Sequence, residues 1–234
     1  MNQKTFNLTK QQEFTFSTYV CPTNQPNLLH PIYNFLTSKN NEVGNIVYLW
    51  GDEGSGKSHI LQSITNYTSK IGHKVFYSCL KNHSVIKPDI FESLESFNII
   101  CLDDIDTILP LAIWQEAFYY CLELAENNNT KLIVSSSDNI NQITTARAET
   151  YSRLAASFRY QLPNLNENEI FQALKLRAKY RQIPIGDDVL EYIKNHAARD
   201  TKSIFTLFDR LAENSLTLKK TISKKMVKEA LSNN

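Results

Sequence analysis

Eight consecutive residues, Gly51-Asp52-Glu53-Gly54-Ser55-Gly56-Lys57-Ser58, restrict what this chain can fold into more than any other stretch. They satisfy the spacing G-x-x-x-x-G-K-[ST], and they stand between an apolar run, Ile46–Trp50, and a run from His59 onward with helical spacing. A buried strand that ends in a glycine-rich turn and passes straight into a helix turns its free backbone N–H groups toward one point, where phosphate oxygens are stabilised. In that geometry Lys57 reaches the terminal phosphates of a nucleotide and the Ser58 hydroxyl can ligate Mg²⁺.

A second segment completes the expectation. Asn98-Ile99-Ile100-Cys101-Leu102-Asp103-Asp104 is an apolar strand that ends in two carboxylates, which a parallel sheet would set at its carboxyl edge beside the phosphates. Asp103 is the candidate to hold Mg²⁺ through water, and Asp104 the candidate to orient an attacking water.

Apolar periodicity extends this to the whole chain. Strands are expected at Ile46–Trp50, Lys74–Leu80, Asn98–Asp103, Lys131–Ser136 and Phe158–Leu162, with helices near Ser58–Ile71, Ile90–Glu95, Ile113–Glu126 and Thr150–Ala155. Such alternation predicts the α/β class, a parallel sheet with crossover helices. After Leu162-Pro163-Asn164 only helical signals remain: Asn166 capping Glu167–Arg181, Asp187 capping Val189–His196, then Thr201–Asn214 and Ser223–Leu231. The expected organisation is an N-terminal tail over 1–15, an α/β nucleotide-binding domain over 16–163, and a small all-helical lid over 164–234.

An α/β core followed by a helical lid is the layout of the AAA+ superfamily, and the detailed residues resemble its DnaA branch. Tyr48-Leu49-Trp50-Gly51 leading into Gly54-Ser55-Gly56-Lys57-Ser58-His59-Ile60-Leu61, with Leu102-Asp103-Asp104-Ile105 later, is similar to that family's phosphate loop and acidic strand. Phe16-Ser17-Thr18-Tyr19-Val20 resembles the segment that wraps adenine there, and Ser152-Arg153-Leu154 the motif that gives a neighbouring subunit an arginine finger. By that resemblance the nucleotide contacts are Tyr19, Val20, Gly51, Glu53, Gly54, Ser55, Gly56, Lys57, Ser58 and His59. Ser137, with Asp138 as the alternative, is the polar sensor after the fourth strand, and Lys202 stands where the family holds its second sensor arginine. A lysine there keeps the charge but loses the bidentate fork.

The chain ends at Asn234, just after the lid helices, and only some eighteen residues separate Leu80 from Ile99. Neither a duplex-reading helix-turn-helix domain nor the initiator's inserted single-strand-binding helices are therefore expected. This combination is similar to Hda, the regulatory-inactivator family within the DnaA branch. The resemblance implies an adenine nucleotide ligand, ADP or ATP with Mg²⁺, and weak intrinsic hydrolysis at most. It also implies two partners, the initiator DnaA and the DNA polymerase III sliding clamp. Gln3, Phe6 and Leu8 in Gln3-Lys4-Thr5-Phe6-Asn7-Leu8 form the candidate clamp peptide, favoured over a register starting at Gln11 because residues 14 to 16 open the adenine-wrapping segment. Monomer, dimer and oligomer all stay open. The alternative function is an oligomeric helicase-loader-like or DNA-remodelling ATPase that hydrolyses its own ATP.

Composition fits such a module. With 25 Lys and Arg against 24 Asp and Glu there is no global field toward nucleic acid or anionic lipid. The four cysteines show no C-x-x-C spacing and read as reduced, no run approaches the ~20 apolar residues of a membrane span, and the polar N-terminus has no signal-peptide core. The expected setting is cytoplasmic, with contact to the nucleoid through the clamp.

Overall fold

Five short strands pair side by side, all parallel, in the order β2-β3-β4-β1-β5. The computed structural model describes residues 13–38, 44–145, 147–198, 200–218 and 220–232. The strands are β1 (Ile46–Trp50), β2 (Val75–Cys79), β3 (Ile99–Asp103), β4 (Lys131–Ser136) and β5 (Phe158–Gln161). They lie where the apolar runs predict them, within a residue or two at each end.

Alternation along β1 shows why the sheet is covered on both sides. Ile46 and Tyr48 face a core with Leu102, Trp114, Phe118 and Val134, while Val47 and Leu49 face a second core with Ile60, Leu61, Ile64 and Ile133. The second face is closed by α1 (Leu29–Thr37) and α2 (Lys57–Lys70); the first is closed by α3 (Ala112–Asn127) and α4 (Ala148–Ala155).

The expected helices need correction in two places, and one expected cap in a third. The helix expected at Ile90–Glu95 is instead a pair of single 3-10 turns, Pro88–Phe91 and Leu94–Ser96. Glu92 is extended and Ser93 left-handed (φ 63°), so the i→i+4 ladder cannot continue, and the apolar spacing reflects Phe91 and Leu94 anchoring the turns in the core. Conversely, α1 was not expected. Pro31 masks it in the sequence, yet proline in the first helical turn removes an N–H that has no intrahelical partner anyway.

Beyond β5 come α5 (Glu167–Tyr180), α6 (Asp187–His196), α7 (Thr201–Leu218) and α8 (Lys224–Ser232) around their own core of Leu174, Ile193, Phe208, Leu211 and Val227. Asn166 caps α5 as expected: its side chain accepts from Glu169 N–H at 3.1 Å while Glu169 Oε2 accepts from Asn166 N–H at 2.6 Å. Asp187 does not cap α6. Gly186 is the N-cap, and Asp187 begins the helix with its carboxylate 2.6 Å from Lys175 Nζ. The four cysteines are free, and among the described residues no helix is long and apolar enough to cross a membrane.

Candidate functional site

The glycine-rich loop leaves β1 and enters α2 at Lys57, as the motif requires. Gly54 and Gly56 both hold positive φ (91° and 94°), which glycine adopts without a Cβ penalty. They also permit close approach. A Cβ on Gly54 would lie 3.0 Å from Thr201 Cβ and 3.1 Å from Lys202 N at the start of α7, and one on Gly56 would lie 2.8 Å from the Tyr19 ring. The loop is thus pressed between the lid and the N-terminal segment.

Lys57 is 6% exposed and folds back on its own loop, donating to Gly51 O at 2.6 Å and Asp52 O at 3.0 Å. Burial pulls its pKa down, opposed by the charges of Asp104 and Asp103. Asp103, 1% exposed, accepts from Tyr77 Oη at 3.0 Å on one oxygen and from Ser135 Oγ on the other. Asp104 has φ 58° and ψ 51°, a conformation held by its N–H bond to Ser135 Oγ (2.9 Å), and its side chain lines the pocket. Burial, then the neighbouring Asp103 charge, pushes the Asp104 pKa up. Cys79, Asp103 and Asp104 bring one donor atom each within 4.8 Å of one another, two hard oxygens and one soft sulfur.

Together these residues border a cavity of about 240 Å³ between core and lid. Of the expected contacts, Tyr19, Val20, Glu53, Gly54, Ser55, Gly56, Lys57, Ser58, His59, Asp104 and Ser137 line it. Gly51 and Asp103 do not line it; Gly51 O accepts from Lys57 Nζ, and Asp103 accepts from Tyr77 and Ser135. Asp138 is used elsewhere, its carbonyl accepting from Tyr48 Oη at 2.6 Å. Lys202 contributes through Glu53, to which its Nζ lies at 2.8 Å. His59 is a structural pin: Nε2 donates to Thr15 O (3.1 Å), and the ring packs edge-on between Phe14 and Tyr19. Burial lowers its pKa to about 4, so it stays neutral.

Several contributors carry no motif. Lys81, from the turn after β2, and Arg177, Ala173, Leu165 and Phe205 from the lid side all line the cavity, with Glu13 and Phe14. Arg177 lies 5.4 Å from the Phe14 ring centroid and 5.3 Å from that of Phe205. Glu13, 2% exposed, is held by Arg177 and Arg181, and Asp209 meets the same two arginines at 3.3 and 2.9 Å. The one available signal was Glu13 itself, an acid between Gln12 and Phe14 whose charge had to find a partner once buried.

Arg153 is apart from this cavity. It sits on α4, 21% exposed, with Nε 3.2 Å from Glu126 on α3 and the guanidinium 4.4 Å from the Tyr119 ring centroid. Gln3, Phe6 and Leu8 lie outside the described residues.

Comparison with known proteins gives this geometry its family. The model of the bacterial DnaA ATPase domain matches residues 10–161, about two thirds of the chain. The chain belongs to the DnaA family. Within that AAA+ family its lid is distinctive, because residues 167–231 match the lid domain of Hda. The fold is that of domain III of the Thermotoga maritima replication initiation protein DnaA, with a TM-score of 0.73 at 16% identity over 94% of this chain and 96% of that one. AMPPCP-bound DnaA from Aquifex aeolicus is similar too, with a TM-score of 0.66 and 16% identity over 85% of this chain and 65% of that chain. The Thermotoga maritima RuvB branch migration motor shares the architecture, with a TM-score of 0.63 at 15% identity over 95% and 72% of the two chains.

Proposed function

We propose that this DnaA-family protein is an adenine-nucleotide-bound negative regulator of replication initiation, which docks on the sliding clamp and stimulates ATP hydrolysis by DnaA. The observation that carries this reading is a DnaA-type core joined to an Hda-type lid, with Arg153 on a face outside its own nucleotide pocket.

Two orphaned polar atoms support a nucleotide in the cavity. Tyr19 Oη and Ser55 Oγ are buried without a hydrogen-bond partner among the described residues, and both side chains line the cavity. A bound nucleotide, ADP or ATP, supplies acceptors for such hydroxyls and for the loop N–H groups, and takes the Lys57 ammonium from its own loop carbonyls. Ser58 and Asp103 fit Mg²⁺: one is a hydroxyl at the loop, the other a hard oxygen donor whose two side-chain oxygens each accept one hydrogen bond and keep a lone pair for a bound water. When present, the ion neutralises phosphate charge.

In this reading Arg153 acts in trans. Its guanidinium adds positive charge at the transferring phosphate of an adjoining ATP-bound DnaA, as arginine fingers do. Glu126 and Tyr119 hold it until a partner offers a stronger anion. The clamp is met through Gln3, Phe6 and Leu8. Phe14 and Phe16 are committed elsewhere, Phe14 to His59 and Phe16 to Tyr33 and Tyr67, which supports the register at residue 3.

The deciding experiment is hydrolysis of ATP by purified DnaA with this protein, with and without clamp loaded on DNA. Arg153→Ala keeps nucleotide and clamp binding and loses stimulation, by about 10³-fold or more if the finger acts as in well-studied GTPases. Undiminished stimulation by that variant overturns the mechanism. Alanine at Gln3, Phe6 and Leu8 together removes clamp binding with melting temperature and nucleotide affinity unchanged. A second reading, an independent ATPase, is favoured by the intact set of Lys57, Asp103 and a pocket-lining Asp104. Turnover by this protein alone that matches or exceeds its effect on DnaA would select it.

A further inference from the structure

One aromatic ring on the face that carries Arg153 serves two guanidinium groups. The carbon of the Arg147 guanidinium lies 3.4 Å from the Tyr119 ring centroid, and that of Arg153 lies 4.4 Å from it. The first is van der Waals contact; the second stands farther off. Arg147 is the N-cap of α4 and Arg153 follows in its last turn, so the helical spacing that makes neighbours of residues three or four apart does not pair them. Packing against α3 does. Arg147 N–H donates to Thr145 Oγ1 at 3.4 Å, Thr145 Oγ1 donates to Gln115 Oε1 at 3.2 Å, and Gln115 stands one helical turn before Tyr119 on α3. The start of α4 is thus fastened to the helix that supplies the ring.

The two arginines are held differently. Among the described residues the acid facing Arg147 is Glu149, exposed and 3.7 Å from its Nε; a surface pair of that length contributes little, so the ring is the main partner. Arg153 is the more buried of the two, with Glu126 3.2 Å from its Nε, yet its Nη1 is buried with no hydrogen-bond partner among the described residues. A buried donor without an acceptor is costly, and an incoming phosphate oxygen satisfies it. Both groups carry a full positive charge beside one ring, at most about 8 Å apart, so each weakens the other's hold on it. Arg147, with the closer contact, keeps the ring, and Arg153 is left the looser.

Resting on the reading of Arg153 as a finger that acts in trans, we infer that Arg147 is a positioning residue for it: Arg147 fills the Tyr119 ring, keeps Arg153 from settling there in full contact, and leaves that guanidinium able to swing to the phosphate of an ATP-bound partner. Neither arginine lines the nucleotide cavity, so the device is separate from the protein's own nucleotide site. Without Arg147 the ring is open to Arg153, which then has a full cation–π contact to break as well as the Glu126 bridge before it reaches a partner. That cost falls on the transition state, where the finger acts, rather than on docking.

The test is stimulation of ATP hydrolysis by purified DnaA over a range of concentrations of the full chain, with clamp loaded on DNA, together with the Arg153 Nε–H signal in proton–nitrogen correlation spectra of the protein alone. Arg147→Ala lowers the maximal stimulated rate about tenfold and changes the half-saturating concentration by no more than about twofold. It also moves the Arg153 signal upfield as the guanidinium settles over the ring, with melting temperature and ADP affinity unchanged. Tyr119→Leu removes the group through which Arg147 acts, so in that background Arg147→Ala costs nothing further. If the wild type does not stimulate DnaA, or Arg153→Ala still does, the finger reading falls and this inference with it. If the wild type stimulates through Arg153 but Arg147→Ala retains the full maximal rate or leaves the Arg153 signal in place, the inference alone is overturned. Losses that multiply in the double variant overturn it too, since Arg147 then meets the partner directly.

Discussion

At its phosphate end the cavity is walled by residues 53 to 59 with Asp104 and Ser137, most of them neighbours in the chain; at its apolar end Glu13, Phe14, Ala173, Arg177 and Phe205 meet from segments up to 192 positions apart. The first end recognises its ligand chiefly through backbone N–H groups, so it needs glycines at fixed spacing and little else. The second recognises by bulk and charge and tolerates many sequences. The difference extends to stability. The phosphate loop can lose a side chain and still fold, because its shape is a backbone property, whereas the apolar end is held by the ion-pair network of Glu13, Arg177, Arg181 and Asp209.

The largest expected effect breaks that network. Glu13→Ala strands two buried guanidinium groups with Asp209 as their remaining carboxylate, and removal of one partner from a buried pair costs about 3 kcal/mol or more. Denaturant unfolding measures it. A loss under about 0.5 kcal/mol would mean that the apolar end is no more dependent on side chains than the loop is.

Next in size is Lys57→Ala, which removes a charge-assisted phosphate contact of about 1.5–3 kcal/mol and weakens ADP by at least about tenfold. The melting temperature of the free protein barely moves or rises, because the substitution relieves a buried ammonium. A large drop in melting temperature would erase the contrast between the two ends.

His59 joins both ends, and its contribution is pH-dependent. Folded, its pKa is about 4; unfolded, it is about 6.5, so between those values the unfolded chain binds the extra proton. The stabilising neutral state is complete above about pH 6.5 and is lost as pH falls toward 4, amounting to about 2 kcal/mol by pH 5. His59→Gln removes this slope, and an unchanged pH profile in that variant would relocate the acid sensitivity.

The smallest effect is expected at the junction of core and lid. Asn164 donates to Asp52 Oδ2 at 2.8 Å on the surface, and Asn164→Ala should change stability by no more than about 0.5 kcal/mol. A larger effect in thermal melting would make this hydrogen bond, in addition to the Glu13 network, a determinant of lid position.

Sequence legibility follows the same division. The strands at Ile46–Trp50 and Lys131–Ser136 match their expected bounds because central parallel strands, buried on both faces, are continuous apolar runs between polar turns. The cap at Asn166 was legible for a similarly local reason, its Glu169 partner being three residues away. Ile90–Glu95 misled because apolar residues at helical spacing also serve as anchors for isolated turns, and the left-handed Ser93 leaves no mark in periodicity. Ser137 lines the cavity as expected, but the role of Ser135, inside β4, carried no local signal: only the register of β3 on β4 sets it against Asp103.

By itself, then, the sequence determined the phosphate loop, the acidic strand end, the parallel α/β order and the helical lid, each of which depends on residues a few positions apart. Only the tertiary structure brought Lys81 and Lys202 to one oxygen of Glu53 and Arg177 between Phe14 and Phe205. A lysine on a turn or an arginine on a helix face has the same local pattern whether it meets solvent or a ligand, and its role is fixed when sheet closure and lid packing bring distant segments together.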